Sequence, residues 1–308
     1  MSIDKNDAAV PSMALGTATR VFFGHQSGKY PDGNQVIVQG ADVRVALDTP
    51  LVSRHLTGAL ASADLIVLSH VHEDHTVSLG RLQDVPVQVH EADCAAARSW
   101  PELSRRYGYT DATLAELHAL IVREFDYAPR PDATAYADGA CWDLGGGVRI
   151  RAHHLPGHTA GHCALVIEPD GIAFIGDIDL SGFGPYYGDA TSDLQQFRRS
   201  LQRVRELDAG TWITSHHKGV ITDRALFLQL LERFASRCDQ RNDRLLGYLR
   251  ERPHSLDELV ARRILYPPTY RGMPFVDDAE RRTIALHLAE LQAASRVAQS
   301  ADGVWHPA

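Results

Sequence analysis

The stretch Asp64-Leu65-Ile66-Val67-Leu68-Ser69-His70-Val71-His72-Glu73-Asp74-His75 decides how this chain is read. Its first half is short, apolar and β-branched, which predicts a buried strand that stops where the histidines begin. Side chains alternate along an extended chain, so His70 and His72 point the same way and can converge on one metal ion. Asp74 and His75 follow where the chain turns, placed to face a second ion beside the first. Imidazoles and a carboxylate are the donors that a borderline-soft divalent ion such as zinc prefers. One His here is usually part of a polar turn; three His and an Asp at this spacing favour the metal.

Two metals need more than four ligands, and later strand ends offer them. Arg149 to His162 is a strand-like run that ends in a Pro-Gly turn presenting His158. Gly171 to Ile175 is another short apolar strand, followed by Gly176-Asp177-Ile178-Asp179. Thr211 to Ser215 leads into His216-His217-Lys218-Gly219. Each acid or imidazole thus follows an apolar strand, where α/β sheets expose side chains to a shared crevice.

In these ordered motifs the chain resembles the metallo-β-lactamase-fold superfamily, over roughly residues 18 to 222. The resemblance rests on His70-x-His72-x-Asp74-His75, the Gly157-His158-Thr159-Ala160-Gly161-His162 turn, Asp177 after an apolar strand, and a late His. It implies an αββα sandwich, with two mixed sheets packed between helices. It also implies a first metal held by His70, His72 and His158 and a second by Asp74, His75 and His216, with Asp177 bridging. His217 is the alternative for the late ligand. Two divalent ions are expected, zinc first, with manganese or iron as alternatives. Many zinc β-lactamases replace the bridging Asp by Cys or Ser, so antibiotic hydrolysis is not the leading expectation. The flavin-linked di-iron branch has Glu where His72 stands, which argues against oxygen reduction.

With 308 residues, 44% hydrophobic and 23% charged, the composition is that of an ordinary globular protein. No stretch approaches the ~20 apolar residues of a membrane span. Residues 1–11 are polar and acidic without an apolar run, which shows no secretory signal. Cys94, Cys141, Cys163 and Cys238 are widely separated, as expected of reduced thiols in the cytoplasm. Cys163 reads as a core thiol. A net charge of −8 argues against a general attraction to nucleic acid. Lys occurs only at 5, 29 and 218, and Lys218 stands beside the late His pair.

The domain reading is a catalytic unit over 1–222, with a helical insertion at about 91–130, and a C-terminal unit over 223–308. Strands are expected at 19–23, 35–39 and 43–47, and the turn 28–34 is either a lip over the crevice or a simple hairpin loop, an ambiguity His25 shares. Within the insertion, Asp111 is the expected cap of a helix, and Tyr107, Tyr109 and His118 are candidate pocket residues. Tyr187, in the loop after Asp177, is a candidate oxyanion donor. Ser255 with Glu258 forms a capping-box pattern, Asp277 to Ala294 reads as a helix and Arg296 to His306 as a hairpin. Helix, helix and two-stranded wing resemble the winged-helix module of one superfamily branch. Winged helices often bind DNA, but the tail from Arg237 holds eleven Arg against ten Asp and Glu. That balance favours a structural cap or homodimer element over a nucleic-acid reader.

The expected chemistry is attack by a metal-bridging hydroxide, oriented by Asp74 and Asp177, on a small carbonyl substrate: a thioester, lactone or other ester. His162 is expected to orient the donors rather than bind metal. The alternatives are a metal-dependent ribonuclease or phosphodiesterase, a mononuclear iron dioxygenase on the same fold, and a winged-helix regulator.

Overall fold

The computed structural model describes residue 7 and residues 9–308, so the polar run at 1–11 lies largely outside the described residues. Two mixed sheets form the centre. The first runs in the order β1 (Ser12–Leu15), β2 (Thr19–Phe22), β3 (Gln35–Gln39), β4 (Arg44–Leu47), β5 (Leu65–Val67), β6 (Val87–His90) and β7 (Thr134–Tyr136). It is antiparallel up to β4 and parallel from β4 to β7. The second holds β8 (Cys141–Asp143), β9 (Arg149–His154), β10 (Cys163–Glu168), β11 (Ile172–Phe174), β12 (Thr211–Ile213) and β13 (Val220–Ile221). Only β11 and β12 pair in parallel there.

The layering follows from the two-residue period of strands that are apolar on both faces. In β3 and β4, Val36, Val38, Val45 and Leu47 turn towards the second sheet and meet Ile150, Leu165, Ile167 and Phe174. Ile37 and Ala46, one residue out of phase, turn outward with Ile66, Leu68 and Val87 under Leu103, Leu117 and Ile121 of the insertion helices. On the second sheet Ala164, Val166, Ala173 and Trp212 face outward to Phe197, Leu201 and Phe227. The expected αββα sandwich is the observed fold. It places the ends of β5, β11 and β12 and the loop after β9 at one rim.

The insertion is three helices, Glu91–Arg98, Trp100–Tyr107 and Asp111–Glu124. Asp111 does not cap the third. Thr110 does, its Oγ1 accepting the Thr113 N–H at 3.4 Å, because the extended backbone one residue earlier aims the hydroxyl at the free N–H groups.

After β13 comes the long helix Arg224–Glu251, capped by Asp223. Its first half, with Phe227 stacked on Trp212 at 4.0 Å, belongs to the core outside the second sheet. Its second half, with Leu245, Leu246 and Leu249, joins a separate core formed with Leu259, Ile284, Leu288 and Val297. The sequence division at 222/223 therefore falls just ahead of a helix that serves both cores. Leu256–Arg262 carries the complete Ser255–Glu258 capping box, and Val276–Ala293 is the next helix. β14 (Val297–Gln299) and β15 (Trp305–Pro307) close the chain as an antiparallel hairpin. Among the described residues no helix is long and apolar enough to cross a membrane.

Candidate metal centre

β5 ends at Val67, and the chain continues extended through His70 and His72 into a single turn, Glu73–His75. That turn swings Asp74 and His75 to the other side of the rim from His72. His158 arrives on the loop after β9, Asp177 after β11 and His216 after β12. Gly176 has φ +53, and a Cβ there would lie 2.5 Å from His162 Nε2, so only glycine lets Asp177 reach its place.

The donors fall into two groups, each with its ligand atoms within 4.8 Å of one another: His70, His72, His158 and Asp177, and Asp74, His75 and His216. Asp177 divides its oxygens between them. Oδ2 lies 3.3 Å from His158 Nε2 and 3.9 Å from His70 Nε2. Oδ1 lies 3.0 Å from His75 Nε2 and 3.4 Å from His216 Nε2. His216 Nε2 is also 3.1 Å from Asp74 Oδ2. His217 belongs to neither group; its Nε2 lies 3.6 Å from Asp179, and both residues line the cavity beside the donors.

The hydrogen bonds behind the rings fix which nitrogen is free. His158 Nδ1 donates to the carbonyl of Tyr186 at 2.9 Å, and His216 Nδ1 to those of Gly28 and Asp32. His75 Nδ1 donates to Asp48 at 2.8 Å. Ser69 Oγ gives its proton to Asp48 and so accepts from His70 Nδ1. His72 is reversed, its Nε2 donating to Asp189 at 2.6 Å. In each of the five rings an outer partner thus takes one nitrogen and leaves the other facing the interior, the arrangement that outer partners impose on metal-binding imidazoles. His75 Nε2, His216 Nε2 and Asp177 Oδ1 are buried without a hydrogen-bond partner. Buried orphan donors and acceptors are costly, and a cation between them removes that cost. The donor set fits divalent metal.

His162 differs. Its Nδ1 donates to the Leu155 carbonyl and its Nε2 accepts the Asp177 N–H, so neither nitrogen is left for a metal. Burial, with His158 adding to it, lowers its pKa to about 3, so it stays neutral and fixes the Asp177 backbone. Burial alone raises a carboxyl, but His75, His216 and His70 outweigh it and hold Asp177 well below the usual carboxylate range.

The donors open onto a cavity of about 340 Å³. Lys29 and Tyr30 line it, so the 28–34 turn is a lip rather than a bare hairpin loop. Tyr107 and Tyr109 also line it, whereas His118 stacks on Trp100 at 4.3 Å away from the cavity. Tyr187 requires correction. Its side chain is fully buried, with the hydroxyl 2.9 Å from His287 Nε2 and 2.7 Å from Arg241 Nη1, under the C-terminal helices. Adjacent side chains on an extended loop leave on opposite sides, and it is Tyr186 that faces the cavity. Lys218 does not line the cavity, and Cys163 is a buried core thiol.

The Metallo-beta-lactamase superfamily profile matches residues 60–216, the span that carries every one of these donors. The chain belongs to that superfamily. Among its relatives are atrochrysone carboxyl ACP thioesterases of Pseudocercospora fijiensis and Claviceps purpurea. The first is 25% identical over 210 residues, 65% of this chain and 52% of the relative. The second is 25% identical over 203 residues, 63% of this chain and 54% of the relative. The chain spans about half the length of the curated relatives it matches. A metallo-beta-lactamase family protein from Thermus thermophilus has TM-score 0.66 at 25% identity, covering 90% of this chain and 94% of that one. A beta-lactamase domain protein from Burkholderia ambifaria shares the fold, with TM-score 0.69 at 18% identity, covering 100% and 96%.

Three acids escaped the sequence reading of this superfamily member. Asp48 follows β4 and holds both Ser69 and His75. Asp189 holds His72, and its other oxygen accepts from Tyr109 at 2.6 Å. Glu73, inside the motif itself, accepts from Tyr107 at 2.7 Å and Tyr30 at 3.3 Å. The one available signal for Asp48 was its place directly after an apolar strand. The cavity also takes Tyr266, Pro267, Tyr270, Met273 and Phe275 from the C-terminal segment, which the sequence did not tie to the site.

Proposed function

We propose that this chain is a dinuclear metal-dependent hydrolase that cleaves a small carbonyl ester, with a thioester as the leading substrate. The observation that carries the reading is Asp177 standing between two inward-facing donor groups, one oxygen turned to each. In this reading His70, His72 and His158 would hold one ion and Asp74, His75 and His216 the other, with Asp177 offering an oxygen to each. Zinc suits this nitrogen and carboxylate set.

A pair of divalent ions, when bound, acidifies water from a pKa of ~15.7 to about 7 and polarises a carbonyl oxygen. The chain's own groups do the rest. Asp74 and Asp177 accept hydrogen bonds from the attacking water and set its direction. Asp48, Asp189 and the carbonyls of Gly28, Asp32 and Tyr186 keep the imidazoles in the tautomers that bind. The aromatic lining keeps bulk water from the reacting carbonyl.

Thioester is preferred because two relatives bear the name thioesterase. Among the described residues Lys29 is the one lysine or arginine that lines the cavity, whereas a polynucleotide track needs a row of cations. We read the winged-helix-like C-terminal helices and hairpin as a structural cap on the pocket. The four free cysteines suit a reducing cytoplasm.

The test is a hydrolysis panel on zinc-loaded protein: acyl thioesters, lactones and simple esters against single-stranded RNA and a phosphodiester reporter. Thioester turnover that Asp177→Ala loses supports the proposal. RNA cleavage that the same substitution abolishes, without ester turnover, overturns it.

A further inference from the structure

The rings lining the cavity connect into a surface built partly from residues far apart in the chain. His72 stacks on Tyr107 with centroids 5.9 Å apart and planes 8° apart. Tyr107 stacks on Tyr109 at 5.5 Å, and Tyr109 on Phe275 at 5.6 Å. The run therefore leads from a candidate metal ligand to the segment between the last two helices. A second run joins Phe183 to Tyr266 at 5.4 Å and Tyr266 to Tyr270 at 5.2 Å.

The phenol oxygens nearest the donors are already engaged. Those of Tyr107 and Tyr30 donate to Glu73, and those of Tyr109 and Tyr186 to Asp189. What this part of the wall offers an occupant is ring surface.

The C-terminal part of the wall is pinned at both ends. The Glu280 carboxylate, fully buried, accepts the N–H groups of Ile264 at 3.0 Å, Leu265 at 2.9 Å and Tyr266 at 2.6 Å. Arg263 donates to the Tyr270 carbonyl at 2.9 Å and to Asp277 at 2.7 Å. Thr110 of the insertion donates to Asp278 at 3.1 Å. A wall held this way is set before the substrate arrives, which lowers the ordering cost of binding.

We propose that the segment 266–275 is the acyl-selecting wall of the catalytic pocket and that the acyl group it selects is an uncharged, flat aromatic one. Rings meet other rings edge-on or offset with an attraction an alkyl chain of equal size lacks. Glu73, Asp179 and Asp189 also line the cavity and outnumber Lys29 there, which disfavours an anionic acyl group. Phe275 and Tyr270 receive the aromatic body, while the carbonyl points towards Asp177. The proposal rests on the hydrolase reading for the bond that is cut, but not for the seating of the ring.

Calorimetry with ketones, which carry the carbonyl and no leaving group, tests the seating apart from turnover. The probes are acetonaphthone and a linear methyl ketone of equal carbon count, on zinc-loaded protein, Tyr270→Ala and Phe275→Leu. The aryl ketone binds the unmodified protein more tightly, and each substitution weakens it by roughly threefold to tenfold while the linear ketone hardly changes. Phe275→Leu keeps apolar bulk and removes only the ring, so misfolding does not mimic the result. Glu280→Gln, at a positioning residue, lowers the aryl preference without changing metal content. Equal affinity for the two ketones, or aryl binding indifferent to both ring substitutions, overturns the proposal. Naphthoyl and acetyl thioesters assayed alongside separate the two readings. Ring-dependent ketone binding without thioester turnover supports the wall and removes the hydrolase. Thioester turnover without aryl preference does the reverse.

Discussion

Each of the five imidazoles at the centre has two nitrogens, and a neighbour has claimed one of them. The claim decides what a ring can do: His162, four residues after His158, has both nitrogens engaged and is left to hold the Asp177 backbone. Asp189→Ala removes the acceptor of the His72 Nε2 proton, so the ring is free to turn. Zinc affinity, measured by competition with a chelating dye, is expected to fall by about 10- to 100-fold. Unchanged affinity would show that His72 needs no such anchor. Asp177→Ala is expected to abolish turnover with the circular dichroism spectrum preserved, since Asp177 closes no strand or helix. At this scale the sequence was legible where donors are clustered. Asp74, His75 and His158 stand in short, dense motifs, and of the late pair it is His216 that lies with Asp74 and His75. Asp48 and Asp189 were not legible, because one acid beside a strand or in a glycine loop looks like any turn residue. Their partners His75 and His72 stand far away in sequence.

Strands and helices were read well because their apolar residues keep a period, and the rim positions followed from where those runs stop. What periodicity cannot show is which side of a loop a side chain takes. Tyr187 was expected beside the metals and instead ties the loop after β11 to the last helices through His287 and Arg241. Tyr187→Phe is expected to leave kcat unchanged and to cost about 1–3 kcal/mol in urea unfolding, from the unpaired buried partners. A large loss of kcat with stability intact would restore the oxyanion role. His287 in the same junction has its pKa lowered to about 3, by burial first and then by Arg241 and Arg198. The unfolded chain binds that proton from about pH 6.5 downward, so the junction's contribution is whole above that pH. It is lost as pH falls towards about 3, at up to roughly 1.4 kcal/mol per unit. His287→Gln should flatten this acid limb in unfolding titrations; an unaltered slope would assign the acid loss elsewhere.

At the scale of the molecule, two sheets bring strand ends together at one rim, and the insertion and the C-terminal segment build the chamber around it. The αββα sandwich was legible from ordered motifs separated by apolar strands. The chamber was not, because Phe275 meets Tyr109 across a long stretch of chain that no local pattern spans. A centre with orphaned His75 Nε2, His216 Nε2 and Asp177 Oδ1 also ties stability to metal. Chelation is expected to lower Tm, and zinc at about 100 times its Kd to restore about 2.7 kcal/mol. A Tm indifferent to chelator would mean that the donors hold no ion in the folded protein.

The central claim is that both donor groups act as one dinuclear centre. The most direct measurement is thioester turnover followed as zinc is added back in known equivalents to chelator-treated protein, with Asp177→Ala beside it. The account predicts that activity climbs until two ions are bound per chain and that the variant shows none at any zinc level. Full activity at a single equivalent, or in the metal-free protein, would contradict it.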